Sequence, residues 1–314
     1  MQNRQKKLLL LAETHEDYPV HSRVHPLKLC EQCYIKREDE LGFFLSGSKV
    51  RKYRSLIPAL KKRGAKTVAL IGSQNSNHIL GLSMLLIENG MVPELILLDS
   101  KAEELAGNAL FTQLLVPKEH IHLVPREQWP MVQKLYPHAL PEGGSVKESV
   151  SGLTTLALDI LQNEQELGIT FKELFIDSGT GLTAAALIAA FGFLQKEAKI
   201  HVLQTALSES AFLTLLDEVK TALEELTGEQ IPQLPECIQH TPTTARSFGS
   251  TNSQIFNTIA TTAQQEGFFL DPIYSSKLYL LLKATPREGP TLFIHSGGLF
   301  SLAGFQKQFA QFAK

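Results

Sequence analysis

The sequence contains, twice, an apolar run, a polar loop, a helix-length segment and a second apolar run, and this order constrains the fold more than any other feature. In the first copy the apolar run 67–71 ends at Gly72, and apolar residues are frequent from 79 to 86. Asn89-Gly90 marks a helix end, and the apolar run 94–98 follows. Strands joined through a helix pair in parallel, so the sequence predicts an α/β fold on parallel sheet.

The second copy begins with the apolar run 174–177, which is followed by the polar loop 178–183. An apolar helix to about Leu194 comes next, and a strand over 199–203 closes the unit. The longest nearly unbroken apolar stretch, 184–194, lies in this helix and falls short of the ~20 residues that span a membrane. We therefore expect no membrane association.

Two further strands are predicted at 33–36 and 291–295, whereas 117–144 is rich in Pro and His and is predicted to carry connections rather than sheet. We expect a two-domain α/β protein. Each domain is an open, twisted, mainly parallel sheet flanked by helices. The active site lies in the cleft between them, because ligands bind at the carboxyl ends of strands in such sheets.

The composition excludes several classes of protein. A hydrophobic content of 43% is enough for a large core and excludes disorder, and a formal net charge of -2 shows no bias toward nucleic acid. We therefore expect a small-molecule partner.

The three cysteines are too few for a disulfide framework and are consistent with the reducing cytoplasm. Cys30 and Cys33 have the spacing of metal ligands, but no second pair follows at zinc-finger distance. We expect Cys30, Cys33 and Cys237 to be ordinary thiols. His120 and His122 could form a metal pair on one side of a strand, but no third ligand is near them in sequence, which favours a surface pair.

The loop Ser178-Gly-Thr-Gly-Leu-Thr183 joins a predicted strand to a predicted helix. Its glycines let the backbone approach an anion, and the N–H groups of the helix start supply positive potential. The loop lacks the third glycine of a dinucleotide site and the Gly-Lys-Ser/Thr of a triphosphate site. A single phosphate monoester fits better than either, although a plain Gly-rich turn is an equally simple interpretation.

A second polar turn, Ser46-Gly-Ser48, precedes Lys49 and three more cations up to Arg54. This pattern is typical of a solvated helix start, but a lysine after a small, flexible turn can also direct its amine at an electrophile. A phosphate loop together with such a lysine suggests pyridoxal 5'-phosphate, whose aldehyde forms a Schiff base with a lysine.

Five motifs then occur in an order that resembles the pyridoxal-phosphate enzymes of the tryptophan synthase β-subunit superfamily (fold type II). Within it they are most similar to the branch of 1-aminocyclopropane-1-carboxylate (ACC) deaminase and D-cysteine desulfhydrase. The resemblance covers about residues 25 to 305, and the motifs are Lys36-Arg-Glu-Asp39, Ser46-Gly-Ser-Lys-Val-Arg-Lys52, Ser73-Gln-Asn-Ser-Asn-His78, Asp271-Pro-Ile-Tyr-Ser-Ser-Lys277 and Gly289-Pro-Thr-Leu-Phe-Ile-His-Ser-Gly-Gly298.

The resemblance implies a role for each matched position. Lys49 would form the Schiff base and move the proton at the substrate's α-carbon, with Lys52 as the competing lysine. Ser76 would lie beside the substrate, and Asn77 would bind the cofactor's phenolic oxygen. Tyr274 would stand over the cofactor or shape the pocket. The phosphate would be held by Gly179, Thr180, Gly181, Leu182 and Thr183.

Two positions divide this branch, and both carry a hydroxyl residue here, as in the desulfhydrases: Ser275 and Ser296. A carboxylate beside the pyridine nitrogen keeps that nitrogen protonated and the ring a strong electron acceptor, whereas a serine only hydrogen-bonds a neutral nitrogen. The weaker acceptor favours prompt loss of a thiolate. The resemblance therefore implies β-elimination from D-cysteine, giving pyruvate, sulfide and ammonia. ACC deaminase and a D-serine or threonine dehydratase-like deaminase are the alternatives.

Three departures lie on the substrate side of the family pattern. Ser48 replaces an asparagine, Phe248 stands where a tyrosine is expected, and Val146 with Lys147 changes the loop that starts at Glu142. These departures keep open a protein that binds the cofactor without turnover.

The resemblance also implies a homodimer that acts on a small amino acid. It divides the chain into a large cofactor-binding domain, residues 1–53 and 157–314, and a small α/β domain, residues 54–156.

Overall fold

The computed structural model describes residues 2–14, 16, 18–42, 47–99 and 105–312. Within them the strands are β1 (Val24–Pro26), β2 (Cys33–Lys36), β3 (Thr67–Gly72), β4 (Val92–Leu98), β5 (Ile121–Val124), β6 (Ala139–Leu140), β7 (Glu173–Ser178), β8 (Lys199–Gln204), β9 (Glu236–His240) and β10 (Thr291–Ile294). The helices are α1 (Gln2–Ala12), α2 (Lys49–Lys62), α3 (Asn77–Glu88), α4 (Gly107–Leu115), α5 (Trp129–Gln133), α6 (Glu148–Leu153), α7 (Thr155–Leu167), α8 (Leu182–Leu194), α9 (Glu209–Thr227), α10 (Ser253–Glu266), α11 (Ser275–Ala284) and α12 (Gln306–Phe309).

The larger sheet has the strand order β1-β2-β10-β7-β8-β9. All its pairs are parallel except β1 with β2. The predicted strands 33–36, 174–177, 199–203 and 291–295 all occur here within a residue of their expected ends. The apolar runs were therefore sufficient to locate the central strands.

The smaller sheet, β5-β4-β3-β6, is parallel throughout. The prediction that 117–144 carries no sheet was wrong, because β5 and β6 lie in that segment and form both edges. Both strands are short, and prolines stand beside them at 117, 125 and 141. Edge strands obtain their register from the neighbouring strand, and such short ones show little apolar alternation of their own.

Both faces of the larger sheet are buried, as is usual for parallel sheet. Leu174 and Ile176 pack with α8 on one face, and Phe175 packs with α10 and α11 on the other. Helix α8 is buried on nearly all sides, which explains its continuous apolar sequence. The mixed α/β architecture with helix-flanked, mainly parallel sheets is confirmed; the residue boundaries of the two domains stay a prediction.

Cys30 and Cys33 form a disulfide, so the expectation of ordinary thiols was wrong for this pair. Gln32 adopts a positive φ of 57° between them, and the resulting turn brings the two Cα atoms within 5.5 Å. That distance is compatible with a disulfide, but the spacing of the cysteines does not specify it. Cys237 is a free thiol, and burial raises its pKa to about 11.

His120, directly before β5, and His122, within β5, both contact one carboxylate. His120 Nδ1 lies 2.8 Å and His122 Nε2 lies 2.9 Å from the oxygens of Glu94. The described residues contain no cluster of three or more His, Cys, Asp or Glu that could hold a metal ion. None of the helices described above is both long and apolar enough to cross a bilayer.

Candidate active site

A cavity of about 480 Å³ lies where the carboxyl ends of β3, β7 and β10 converge. Most residues that the sequence indicated as site residues line it, whereas Ser275 does not. Those in the lining are Lys49, Ser76, Asn77, Gly179, Thr180, Gly181, Leu182, Thr183, Tyr274 and Ser296.

The turn before α2 packs directly against the end of β10. Gly47 has a φ of +62°, and a Cβ there would lie 2.2 Å from the backbone oxygen of Ser296. Only glycine combines this φ with so close an approach. The Ser48 N–H donates to the same Ser296 oxygen at 3.0 Å, which fixes the turn beside the strand and starts the helix at Lys49. Ser46, the first residue of the predicted turn, lies outside the described residues.

Lys49 lines the cavity and makes no hydrogen bond to any residue that the structure describes. Its side chain is half-buried in the cavity wall. Burial lowers the pKa of its amine, and the carboxylates of Asp177 and Asp271 oppose this change. The result is an amine with increased neutral character and no competing partner, as a nucleophile or base requires.

Lys52 lies one helical turn further along α2 and also lines the cavity, but its amine donates to the backbone oxygen of Gly143. Burial and the neighbouring Lys49 hold the pKa of Lys52 well below its usual range. His78 lies beside both lysines, and its pKa is also lowered well below its usual value, first by burial and then by the lysine charges. Of the two lysines, Lys49 is therefore the one whose amine is not already bound.

The loop from β7 to α8 forms one end of the cavity. Gly181 begins the helix with a φ of +82°, and a Cβ there would lie 2.7 Å from the Leu215 side chain. The loop can thus present its N–H groups and the positive end of α8 to an anion. Thr180 and Thr183 also line this end of the cavity.

Ser76 and Asn77 are positioned by the start of α3. Ser76 is the N-cap, and its hydroxyl oxygen accepts from the backbone N–H of His78 at 3.2 Å and of Ile79 at 3.4 Å. Because these bonds use lone pairs, its O–H remains available to donate to a ligand. The Asn77 side-chain oxygen accepts from Asn108 at 2.7 Å, which orients its amide.

Tyr274 and Ser275 lie next to each other but differ in position. The ring of Tyr274 packs on Gly179 in the cavity wall and lies 6.2 Å from the ring of Phe248. Ser275 is fully buried and accepts from the backbone N–H of Asp271 at 2.7 Å, at the start of α11. Its hydroxyl thus supports the turn that carries Tyr274 and is not directed to the cavity.

Asp177, which lies in none of the five motifs, lines the cavity at the end of β7. Ser296 Oγ donates to its Oδ1 at 2.7 Å. Burial raises the pKa of Asp177 to about 6, and the bond from Ser296 opposes that change. One sequence signal was available: a charged residue ends an otherwise apolar strand directly before the glycine loop.

These groups fit pyridoxal phosphate. Lys49 offers an unbound amine for its aldehyde, and the N–H groups from Gly179 to Thr183 suit its phosphate. The cavity volume is in the range of small-molecule sites. The sequence model of the "Pyridoxal-phosphate dependent enzyme" family matches residues 20–297. The chain belongs to this family of enzymes, and pyridoxal phosphate is its cofactor.

Two curated relatives have names from one branch of the family. A D-cysteine desulfhydrase of Serratia proteamaculans is 26% identical over 300 residues, which cover 89% of this chain and 90% of that protein. A putative 1-aminocyclopropane-1-carboxylate deaminase of Pyrococcus furiosus is 25% identical over 283 residues, which cover 85% of this chain and 84% of that protein.

One solved structure, described as an ACC deaminase homologue, has the same fold. It superposes with a TM-score of 0.82 at 22% identity and covers 97% of this chain and 98% of that chain. The resemblance that the five motifs indicated is thereby confirmed at the level of family and fold.

Proposed function

We propose that this enzyme is a carbon–sulfur lyase which converts D-cysteine and water to pyruvate, sulfide and ammonia. The observation that carries the proposal is the unbound amine of Lys49 in a cavity that also holds an anion loop and the hydroxyl of Ser76. Relatives named D-cysteine desulfhydrase support the choice of substrate.

Lys49 is the proposed base. Burial lowers the pKa of the Lys49 amine, which increases the neutral fraction that can accept the proton from the substrate's α-carbon. Pyridoxal phosphate, when bound, supplies the aldehyde that captures the amino group and the ring that accepts the electron pair left at the α-carbon. Loss of the β-thiolate then completes the elimination.

Ser76 and Asn77 are proposed to hold the substrate and the cofactor. The free O–H of Ser76 can donate to a substrate carboxylate, and the oriented amide of Asn77 can bind the phenolic oxygen of the cofactor. Tyr274 would shape the pocket or assist proton transfer, and its pKa is raised by burial, so its phenol stays protonated.

Phe248 lines the cavity, although its side chain is largely exposed. Its ring faces Tyr274 across 6.2 Å and has no polar group for a substrate hydroxyl. This favours a small amino acid with an apolar or thiol side chain.

The test is a comparison of substrates on the purified holoenzyme. D-cysteine, L-cysteine, D-serine and ACC are incubated separately, and the 2-oxo acids are quantified, with Lys49→Ala as the inactive control. We expect pyruvate from D-cysteine to exceed every other product. More 2-oxobutyrate from ACC would instead identify a deaminase, which the relative from Pyrococcus furiosus makes the second candidate. No product from any substrate would indicate a cofactor-binding protein without turnover.

We also propose that the enzyme is a cytoplasmic homodimer with a small domain at 54–156 and a large domain at 1–53 and 157–314. The resemblance to the family supports the dimer and the division into domains. Light scattering on the eluted protein tests the dimer, and limited proteolysis at the proposed boundaries tests the domains.

A further inference from the structure

Asp177 is half-buried and differs from Asp271, the fully buried carboxylate near the cavity. Asp271 accepts hydrogen bonds from the backbone N–H groups of Ile273, Tyr274 and Ser275, all at 2.7–2.8 Å, and does not line the cavity. Asp177 lines the cavity and accepts from the hydroxyl of Ser296. The carboxylate of Asp271 therefore has its hydrogen bonds within its own turn, whereas the carboxylate of Asp177 accepts from a single hydroxyl among the described residues and faces the cavity.

The charges around Asp177 do not neutralise it. It forms no ion pair with any residue in the part of the chain that the structure describes. Asp271 repels it, and Lys49 attracts it without reaching ion-pair distance. His295 Nε2 donates to the Phe269 oxygen at 2.7 Å while its Nδ1 accepts from the Gly297 N–H, so this network assigns His295 as a neutral tautomer.

The direction of the Ser296 hydrogen bond determines which ligand groups can bind at this wall of the cavity. A serine hydroxyl has one hydrogen, and Ser296 gives it to Asp177 at 2.7 Å. No described residue donates a side-chain hydrogen bond to Asp177 Oδ2, so Ser296 and Asp177 offer acceptor sites to the cavity. A ligand group that fits must therefore donate a hydrogen bond, and a cationic donor would also compensate the half-buried carboxylate.

The one cationic donor that pyridoxal phosphate itself carries is its ring nitrogen when protonated. The other carboxylate in the lining, Glu142, is already paired with Arg126 at 3.0 and 3.2 Å. We propose that Asp177 is a positioning residue which, through Ser296, holds the cofactor's ring nitrogen in the protonated form.

This proposal changes the expectation based on the serine alone. A lone hydroxyl would leave the ring nitrogen neutral and the ring a weak electron acceptor. With Asp177 behind Ser296, these two residues would favour the protonated ring, which is the stronger electron acceptor. The proposal rests on the cofactor of the family and not on the substrate of the proposed function.

The test is ¹⁵N NMR of the holoenzyme loaded with pyridoxal phosphate labelled at the ring nitrogen, recorded from pH 6.5 to 8.5 without substrate. We expect the wild-type resonance in the range of a protonated pyridine nitrogen at every pH. Asp177→Asn keeps the size of the side chain and removes its charge, and we expect its resonance to shift to the range of the unprotonated nitrogen. Ser296→Ala should shift in the same direction. Asp217→Asn removes an exposed carboxylate on α9 and should match the wild type.

An unprotonated nitrogen in the wild type would overturn the proposal, as would a protonated nitrogen that persists in Asp177→Asn. If Asp177→Asn does not bind the cofactor, the wild type and Ser296→Ala provide the test. A protonated nitrogen in the wild type together with an unprotonated one in Ser296→Ala would support the proposal, and any other result would contradict it. Since no substrate is present, the result is independent of whether the enzyme acts on D-cysteine.

Discussion

At the scale of single residues, the two lysines in the cavity show how environment separates identical side chains. Lys49 and Lys52 lie on the same face of α2, and burial lowers the pKa of each. The Lys52 amine is bound to the oxygen of Gly143, whereas the Lys49 amine has no partner among the described residues. Chemistry that needs a free amine therefore favours Lys49.

Replacement of Lys49 by alanine should abolish the imine absorbance of the holoenzyme at roughly 410–420 nm, because the aldehyde then has no lysine to react with. An ultraviolet–visible spectrum after reconstitution with the cofactor measures this. Lys52→Ala is the matched control and should keep the band. The opposite pattern would show that Lys52 forms the imine.

Asp177 provides a prediction on pH. Its pKa is raised from 3.8 to about 6, so the folded state holds the proton more tightly than the unfolded state. Ionisation of Asp177 therefore lowers the free energy of unfolding. This decrease is absent below about pH 4, grows between about pH 4 and 6, and is complete above about pH 6. A difference of two pKa units between the folded and unfolded states corresponds to a change of about 3 kcal/mol in the free energy of unfolding.

The cofactor-free Asp177→Asn variant should consequently unfold at a higher temperature than the wild type at pH 8 but not at pH 4. Calorimetry at the two pH values measures the difference. An equal difference at both would contradict an ionisation effect and would indicate a change in packing.

At the scale of elements, a buried charge network holds α2 in place. Arg51, two residues after Lys49, contacts both oxygens of Glu38 at 2.6 Å and Asp159 of α7 at 2.7 Å. Lys36 of β2 contacts the same Asp159 at 2.5 Å. The network thus ties the helix that carries Lys49 to the larger sheet and to α7.

Arg51→Met should lower the free energy of unfolding by about 3–5 kcal/mol, since it removes the guanidinium that pairs with the buried Glu38 and leaves Asp159 with Lys36 as its remaining buried cation. It should also weaken cofactor binding, because α2 loses its attachment beside Lys49. Urea unfolding and a cofactor titration measure the two effects. Arg23→Met breaks an exposed pair with Glu40 and should cost less than about 1 kcal/mol. Similar losses in both variants would contradict a special role of the buried network.

At the scale of the whole molecule, the cofactor site depends on both sheets. The smaller sheet contributes the β3–α3 connection with Ser76 and Asn77, and the larger sheet contributes the β7–α8 loop and the end of β10. A ligand in this cavity contacts both units at once. Its binding should therefore stabilise the molecule as a whole.

Removal of pyridoxal phosphate should lower the unfolding temperature, and its return should restore it. At a free concentration 100 times the dissociation constant, the expected stabilisation is about 2.7 kcal/mol. Thermal unfolding followed separately by near-ultraviolet and far-ultraviolet circular dichroism measures the change. A cofactor-independent unfolding temperature would show that the cavity does not hold the cofactor.

The positions along the chain of the central strands, and of helices α3 and α8, could be predicted from the sequence, because apolar runs and helix-end signals act over a few neighbouring residues. The sequence also indicated the family and the positions of ten residues that line the cavity, since the motifs keep fixed local spacing. It did not determine the edge strands β5 and β6, whose pairing depends on β4 and β3.

Only the tertiary structure decided which side chains meet across the cavity. Phe293 pairs with Phe175, so β10 and β7 end side by side and bring Ser296 to Asp177 across 119 positions of sequence. Ser275 is adjacent to Tyr274 in the chain, yet the turn at Asp271 directs it into the core. Strand register and turn geometry are set by the packing of distant segments, and sequence spacing does not contain that information.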